Sequence, residues 1–295
     1  METPQVIIVT GSSSGFGRLT VETLARRGHS VFAGMRASAG RNATAAGEVR
    51  ALAAAEGLDL RVVDLDVTDD ASVEAAVRSV VAVAGRLDVV VNNAGFAAIG
   101  PIEAFTLDQV RQQFDTNVLG TVRLNRAALP QMRAQGSGLL LQVGSLLGRL
   151  ALPFTGLYAA SKFALEGLTE AYGAELAGLG IDVAIVEPGS YPTNVGANGV
   201  PPADAVRLAA YGAAFAHFGA KAAAAAGVVP DAQEVADAIA RVIALPAGAR
   251  PLRTVLPGAY IAGQAEGVGA LNQASERALA TTAGALSLTS APALA

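Results

Sequence analysis

Residues 5–17 constrain the fold more than any other stretch. Gln5 to Thr10 (Gln-Val-Ile-Ile-Val-Thr) is a short β-branched run, the pattern of a strand buried on both faces of a parallel sheet. It ends at Gly11-Ser-Ser-Ser-Gly15-Phe-Gly17, and an amphipathic segment from Arg18 to Arg27 follows, closed by Gly28. Glycines let the backbone turn tightly and let a pyrophosphate approach. A helix starting there presents unpaired N–H groups and the positive end of its dipole to the phosphates. A glycine turn alone can be a plain loop, but its place between a strand and a helix at the chain's start gives it weight. Gly11, Ser12, Ser14, Gly15, Phe16 and Gly17 form the candidate phosphate cradle.

The first half continues the alternation. His29 to Met35 reads as a second strand. An Asp or Glu near the end of that strand would hold the ribose 2′-hydroxyl of NAD, but this chain has Gly34-Met35-Arg36. An arginine there can pair with a 2′-phosphate, so NADP(H) is expected in preference to NAD(H). Ser12 and Arg41 can assist, although Arg41 can equally be a solvated loop charge. Ala43 to Glu56 is helical and Leu58 to Asp64 is the third strand. Leu65-Asp66-Val67 follows, with Asp66 placed to accept from the adenine amino group. Thr68 or Asp69 caps a helix over Ala71 to Ala84. The fourth strand, Arg86 to Asn92, ends in Asn92-Asn93-Ala94-Gly95. Ligands sit at such strand ends in open parallel sheets, although an Asn-Gly turn without a ligand is the plainer alternative.

In the second half, Thr106 caps a long helix running to about Arg133. Asn117 within it is a poor mid-helix residue, and beside Gly120 it signals a kink or a functional amide, or else an ordinary polar position. Leu139 to Val143 is the fifth strand, with Ser145 just past its end. Thr155 to Leu179 is a helix carrying Tyr158 and Lys162 four residues apart, hence on one face. A free phenol has a pKa of about 10. A lysine ammonium one turn away favours the phenolate and suits Tyr158 to acid/base work. The pair by itself occurs in many helices, so its company decides. Ile181 to Val186 is the sixth strand, after which Glu187-Pro188-Gly189 is expected to turn over the sheet and Thr193 to meet a cofactor carboxamide. Residues 200–229 are Ala-rich with Tyr211, Phe215 and Phe218, and are expected to form a partly helical lid. Asp231 caps a helix to Leu245, and Leu252 to Leu256 is the seventh strand. After Gly258 one helix is expected near Leu271 to Leu279, with the last dozen residues disordered.

Composition narrows the function. The 295 residues are 52% hydrophobic and 16% charged, enough for a large core in one α/β domain or two small ones. With no cysteine, thiolate chemistry and disulfides are excluded, and two separated histidines, His29 and His217, make no metal site. A net charge of -4 without a Lys/Arg cluster argues against a nucleic-acid partner. No segment reads as membrane-spanning or as a signal peptide, so a cytoplasmic protein is expected.

Together these residues resemble the short-chain dehydrogenase/reductase family, in its single-domain branch of roughly 250 residues. The resemblance covers about residues 4 to 256. It rests on Thr10 to Gly17, Leu65-Asp66-Val67, Asn92-Asn-Ala-Gly95, Asn117, Ser145, Tyr158, Lys162 and Pro188-Gly189. It implies an α/β fold of the Rossmann type: one doubly wound domain over 1–258, with a seven-stranded, mostly parallel sheet, helices on both faces and a lid at about 190–229. Residues 259–295 exceed the family's usual length and form an extension, partly disordered. Catalytic roles fall on Asn117, Ser145, Tyr158 and Lys162. Tyr158 is then the acid/base, and Lys162 lowers its pKa and bonds the nicotinamide ribose. Ser145 holds the substrate carbonyl, and Asn117 holds a water relaying protons to Lys162. Cofactor contacts fall on the turn residues and on Arg36, Asp66, Val67, Asn92, Ala94, Gly95, Tyr158, Lys162, Pro188, Gly189 and Thr193. Phe16 departs from the small aliphatic residue usual there. The Phe-Ala-Leu-Glu run after Lys162 looks like the subgroup of 17β-hydroxysteroid and retinol dehydrogenases, and bacterial carbonyl reductases share it.

The expected activity is NADP(H)-dependent interconversion of a carbonyl and an alcohol. The substrate is hydrophobic, in a pocket of Leu146, Leu147, Leu150, Leu152, Phe154 and Tyr191. A homodimer or homotetramer is implied, through the helices at 106–133 and 155–179. The alternatives are an NAD-dependent alcohol dehydrogenase of the same family, a nucleotide-sensing regulator without chemistry, and a sugar-nucleotide epimerase or dehydratase. The last needs Thr-Gly-x-x-Gly spacing and a larger C-terminal domain, both missing here.

Overall fold

A computed structural model describes residues 3–193, 195, 198–224, 230–258 and 262–285. Seven strands make one sheet: β1 (Val6–Thr10), β2 (Ser30–Met35), β3 (Leu60–Asp64), β4 (Val89–Asn92), β5 (Gly138–Val143), β6 (Ile181–Ser190) and β7 (Arg253–Gly258). Their order is β3-β2-β1-β4-β5-β6-β7, and every neighbouring pair is parallel, so "mostly parallel" becomes wholly parallel. The chain winds outward from β1 to β3, then returns to β4 beside β1 and winds the other way. Between β1 and β4 the connections diverge, and a crevice opens there at the strands' carboxyl ends.

The helices are α1 (Gly15–Arg26), α2 (Ala43–Glu56), α3 (Asp70–Ala84), α4 (Leu107–Phe114), α5 (Gly120–Gln135), α6 (Gly156–Glu175), α7 (Ala205–Ala210), α8 (Gly212–Ala224), α9 (Gln233–Ala244) and α10 (Ala262–Ala285). Strand residues alternate between two cores. Ile7, Val9, Leu139 and Leu141 pack with α1, α2 and α9 on one face. Ile8, Val90 and Leu140 pack with α3, α5 and α6 on the other. A sheet covered on both faces has little need for polar residues in its strands, which is why β1 and β5 are almost wholly apolar, with Thr10 ending β1 and Gln142 the one polar side chain of β5.

Local chemistry sets the boundaries. Asp69, and not Thr68, caps α3, its side chain accepting from the amides of Ala71 and Ser72. The hydroxyl of Thr68 donates instead to Asp66. Thr106 and Gln109 form a reciprocal capping box at α4. Helix α1 starts at Gly15, three residues before the expected Arg18, because the Arg18 amide already bonds the Ser14 carbonyl. The single helix expected over 106–133 is two helices joined by a π turn, Asp115–Leu119. The Asn117 side chain is tied to neighbouring segments, and the added residue per turn turns it toward them. β6 does not end at Val186 but runs through Pro188 to Ser190, paired with β7. The Val186 carbonyl faces β5, accepting from Gly144. Pro188, two residues on, also faces that side, where β5 has already ended, so its missing N–H costs no ladder bond.

The stretch expected to be a lid holds α7 and α8, with 225–229 outside the described residues. The helix expected at 271–279 is the 24-residue α10. Of the last dozen residues, 286–295 lie outside the described residues. Among the described residues no helix is long and apolar enough to cross a membrane.

Candidate active site

The crevice is a cleft of about 690 Å³. One end is made by the turn after β1. Gly11 and Gly15 have left-handed φ of 69° and 55°. A Cβ on Gly11 would sit 2.9 Å from the Ala94 Cα, so β4 approaches this turn as closely as glycine allows. Ser14 stands at the N-cap of α1, but its side chain caps no amide, and the helix's first turn carries no acid. The first-turn N–H groups are thus left to a ligand in the cleft, which Ser13, Ser14, Gly15 and Phe16 line. This uncapped helix end fits the phosphates of a dinucleotide.

Arg36 and Arg41 line the same end of the cleft, as do Asp66 and Val67. Burial works against the charge on Asp66, but bonds from Thr68 and the charges of Arg36 and Arg41 hold its carboxyl below the ordinary range.

The other end carries the reactive groups. Ser145, Tyr158 and Lys162 all line the cleft, as do Ala94, Gly95, Pro188, Gly189 and Thr193, the last beside Gly15 of the turn. The Ser145 hydroxyl accepts from the Leu147 amide at 3.1 Å, which fixes its rotamer and leaves its proton free to donate. Lys162 is buried, and its Nζ donates to the Val143 carbonyl at 2.7 Å and lies 5.7 Å from the centre of the Tyr158 ring. Burial pushes the Tyr158 phenol up to about 12, opposed by its hydrogen bond with Ser145. Burial pulls Lys162 down to about 8, opposed by the nearby charge of Glu166. The lysine was expected to set the phenol's pKa. Here burial dominates, and the hydrogen bond with Ser145 opposes it.

The sequence model of the family described as "short chain dehydrogenase" matches residues 5–203. The chain belongs to the short-chain dehydrogenase family. It is 37% identical over 190 residues to a 3-ketodihydrosphingosine reductase of Bacteroides thetaiotaomicron, covering 64% of this chain and 65% of that one. It is 42% identical over 193 residues to human 17-beta-hydroxysteroid dehydrogenase type 1, covering 64% and 57%. The chain thus spans under two thirds of the length of these curated relatives. A short-chain dehydrogenase of Streptomyces avermitilis superposes with a TM-score of 0.72 at 33% identity, over 97% of this chain and 98% of that one. Solved members of the fold hold NADP in one case and NAD in another, so the family binds nicotinamide cofactors without selecting between them.

Four candidates stand behind the cleft and do not line it. The Ser12 hydroxyl donates to the Val9 carbonyl. Asn92 donates to Asn125. A Cβ on Gly17 would lie 2.4 Å from the Gly11 carbonyl, so this glycine serves close packing of helix on turn. Asn117 is buried and spends both amide hydrogens on the Phe96 carbonyl and the Ser161 hydroxyl, at 3.0 and 3.1 Å. Its Oδ1 accepts from the Phe96 amide, leaving one lone pair.

The expected apolar pocket is rearranged. Leu147, Leu152 and Tyr191 line the cleft. Leu146 and Leu150 instead pack against Val268 of α10. Phe154, at φ 64°, meets the rings of Tyr211, Phe215 and Phe218 edge-on or tilted, and of these Phe218 lines the cleft.

Several residues were missed. Asn93 ties the two halves of the crevice together, its Nδ2 donating to the Thr10 carbonyl at 2.8 Å. Thr10 Oγ1 accepts from the amides of Asn93 and Ala94. The doubled Asn at the strand end was the available signal. Gln112 and Thr116 also line the cleft, as does Ser13. They stand four residues apart in the same helical stretch, but the π turn in which Thr116 sits was not legible.

Proposed function

We propose that the protein is an NADP(H)-dependent oxidoreductase interconverting a ketone or aldehyde with an alcohol on a hydrophobic substrate. The observation that carries this reading is the convergence of Ser145, Tyr158 and Lys162 on one cleft whose far end presents Arg36 and Arg41. Gly11 to Phe16 and the N-terminus of α1 would hold the pyrophosphate, and Arg36 with Arg41 the 2′-phosphate. The bound nicotinamide supplies or accepts the hydride. Ser145 donates to the substrate oxygen and orients it. Tyr158 gives that oxygen a proton in reduction and takes it back in oxidation. Lys162 holds a positive charge beside the phenol ring and stabilises its deprotonated form as the proton leaves.

Leu147, Leu152, Tyr191 and Phe218 favour an apolar substrate. The names of the two curated relatives, a 3-ketodihydrosphingosine reductase and a 17-beta-hydroxysteroid dehydrogenase, fit that class. The same reading includes a cytoplasmic homodimer or homotetramer formed through α4 to α6, where Leu119 and Phe163 are exposed. Sedimentation would give its size.

The deciding experiment is titration of NADPH against NADH at fixed salt. NADPH tighter by tenfold or more, with the margin lost in Arg36→Ala, is the expected result. Equal or tighter NADH would replace this reading with an NAD-dependent alcohol dehydrogenase. Tyr158→Phe is expected to keep cofactor binding and lose turnover. Cofactor binding by the wild type without turnover on a broad ketone and alcohol panel would favour a sensor.

A further inference from the structure

Helix α10 lies wholly beyond the 5–203 stretch that the family matches. It nevertheless reaches three segments that carry the site. Val268 is fully buried against Leu146, the residue between Ser145 and Leu147. Asn272, also buried, donates from Nδ2 to Glu187 Oε2, and Glu187 directly precedes Pro188 and Gly189 of the cleft wall. Ser275 donates to Glu170 at 2.7 Å. Glu170 and Glu166 follow Lys162 at spacings of eight and four, on the same face of α6.

These contacts meet at one buried cluster. Arg253 of β7 bonds Glu166 at 2.9 Å and also pairs with Glu170. Glu187 lies beside Glu166, whose charge adds to burial in raising its carboxyl. The second oxygen of each of these two carboxyls is buried without a donor. Burial beside Glu166 favours the protonated form of Glu187. With Glu166 and Glu187 so engaged, the amide of Asn272 is the uncharged donor that occupies the remaining oxygen of Glu187. The turn after Ser145 is pressed onto the same cluster: a Cβ on Gly148 would lie 3.2 Å from the Cγ and Oε1 of Glu166.

We infer that Asn272 is a positioning residue for the reaction. It fastens α10 to Glu187, so that α10, pressing Val268 on Leu146, holds Ser145 and the Pro188-Gly189 wall in register with Tyr158. This rests on the oxidoreductase reading above for its kinetic consequence, but not for its structural one.

The test compares Asn272→Leu with Val49→Ala, a cavity in α2 on the opposite face of the sheet. Val268→Ala is made in parallel, because it loosens the same contact without leaving a buried carboxyl unpaired. The readouts are hydrogen exchange at the amides of Leu147 and Gly148, NADPH affinity, and kcat and KM on a ketone the wild type reduces. For Asn272→Leu and Val268→Ala, exchange at those two amides is expected to quicken at least tenfold and kcat to fall about tenfold, with NADPH affinity within twofold of wild type. Val49→Ala is expected to lower Tm without moving either. The inference is overturned if both α10 variants leave exchange and kcat at wild-type values. It is equally overturned if Val49→Ala changes them as much. If the wild type reduces no carbonyl, the oxidoreductase reading fails, and the exchange comparison in the cofactor-free protein still decides whether α10 holds the Ser145 turn.

Discussion

Lys162 reaches from the second turn of α6 to the main-chain carbonyl of Val143, the last residue of β5, at 2.7 Å. The bond anchors the catalytic helix to the strand end that precedes Ser145, and it holds the ammonium where it meets the Tyr158 ring. Lys162→Met keeps most of the stem and removes the charge. The Val143 carbonyl then loses its donor, a cost of about 1–3 kcal/mol. The expected outcome is a lowered Tm, an unchanged circular dichroism spectrum and a drop in reductive kcat of roughly 10²–10⁴-fold. More than a tenth of wild-type activity would remove Lys162 from the reaction.

The two directions of the reaction should respond oppositely to pH. Tyr158, with its pKa pushed up to about 12, stays protonated through the neutral range and is ready to donate in reduction. Lys162, pulled down to about 8, loses its charge above that value. Reductive kcat/KM is therefore expected to hold level below pH 8 and fall above it. Oxidation, which needs the phenol to accept a proton, is expected to rise on the alkaline side. Rate profiles in both directions from pH 6 to 10 check this, and a reductive rate that stays flat to pH 10 would show that the charge on Lys162 is not required.

Gly11 tests the phosphate turn. Its φ of 69° is strained for an L side chain, and an added Cβ meets the Ala94 backbone at 2.9 Å. Gly11→Ala must either spread β1 from β4 or twist the turn. A destabilisation of about 1–3 kcal/mol is expected from the strained backbone, together with at least tenfold weaker cofactor binding. Gly57→Ala is the comparison: it has a similar φ of 67° but open space around its Cβ. It should cost stability and leave binding untouched, as denaturant melts and cofactor titrations would report.

The sequence was most legible where one local pattern had one cause. The apolar runs of β1 and β5 are buried on both faces, and only a covered parallel sheet makes that pattern. Tyr158 and Lys162 share a helix, so their spacing placed them correctly. Legibility failed where distant segments decide. Ser12 sits inside a phosphate motif, yet its hydroxyl turns back to Val9. Nothing in the motif distinguishes it from Ser13, which faces the cleft. Asn117 was visible as an anomaly in a helix, but the π turn depends on Phe96 and Ser161, 21 and 44 residues away. α10 has a bland Ala/Gly/Ser composition. Its docking depends on Val268, Asn272 and Ser275 meeting partners 122, 85 and 105 residues earlier, at Leu146, Glu187 and Glu170, and no local pattern encodes that.

The acid pair beneath the site gives the last prediction. Burial, with the charge and hydrogen bond of Glu166, raises Glu187 from 4.5 to about 8, while the bond from Asn272 and the charge of Arg253 oppose the rise. The folded protein therefore holds a proton that the unfolded chain releases near 4.5. When the folded state binds more protons, stability falls as pH rises. The contribution of Glu187 is complete below pH 4.5, is lost progressively up to about pH 8, and does not change further beyond. Glu187→Gln keeps an amide that can bond Glu166 and Asn272 but cannot titrate. Tm measured from pH 5 to 9 is expected to decline more steeply in the wild type than in Glu187→Gln, with the difference between the two curves levelling off near pH 8. Parallel curves would mean that Glu187 is ionised in the folded protein across this range, and that the cluster balances its charges through Arg253 rather than through a proton on Glu187.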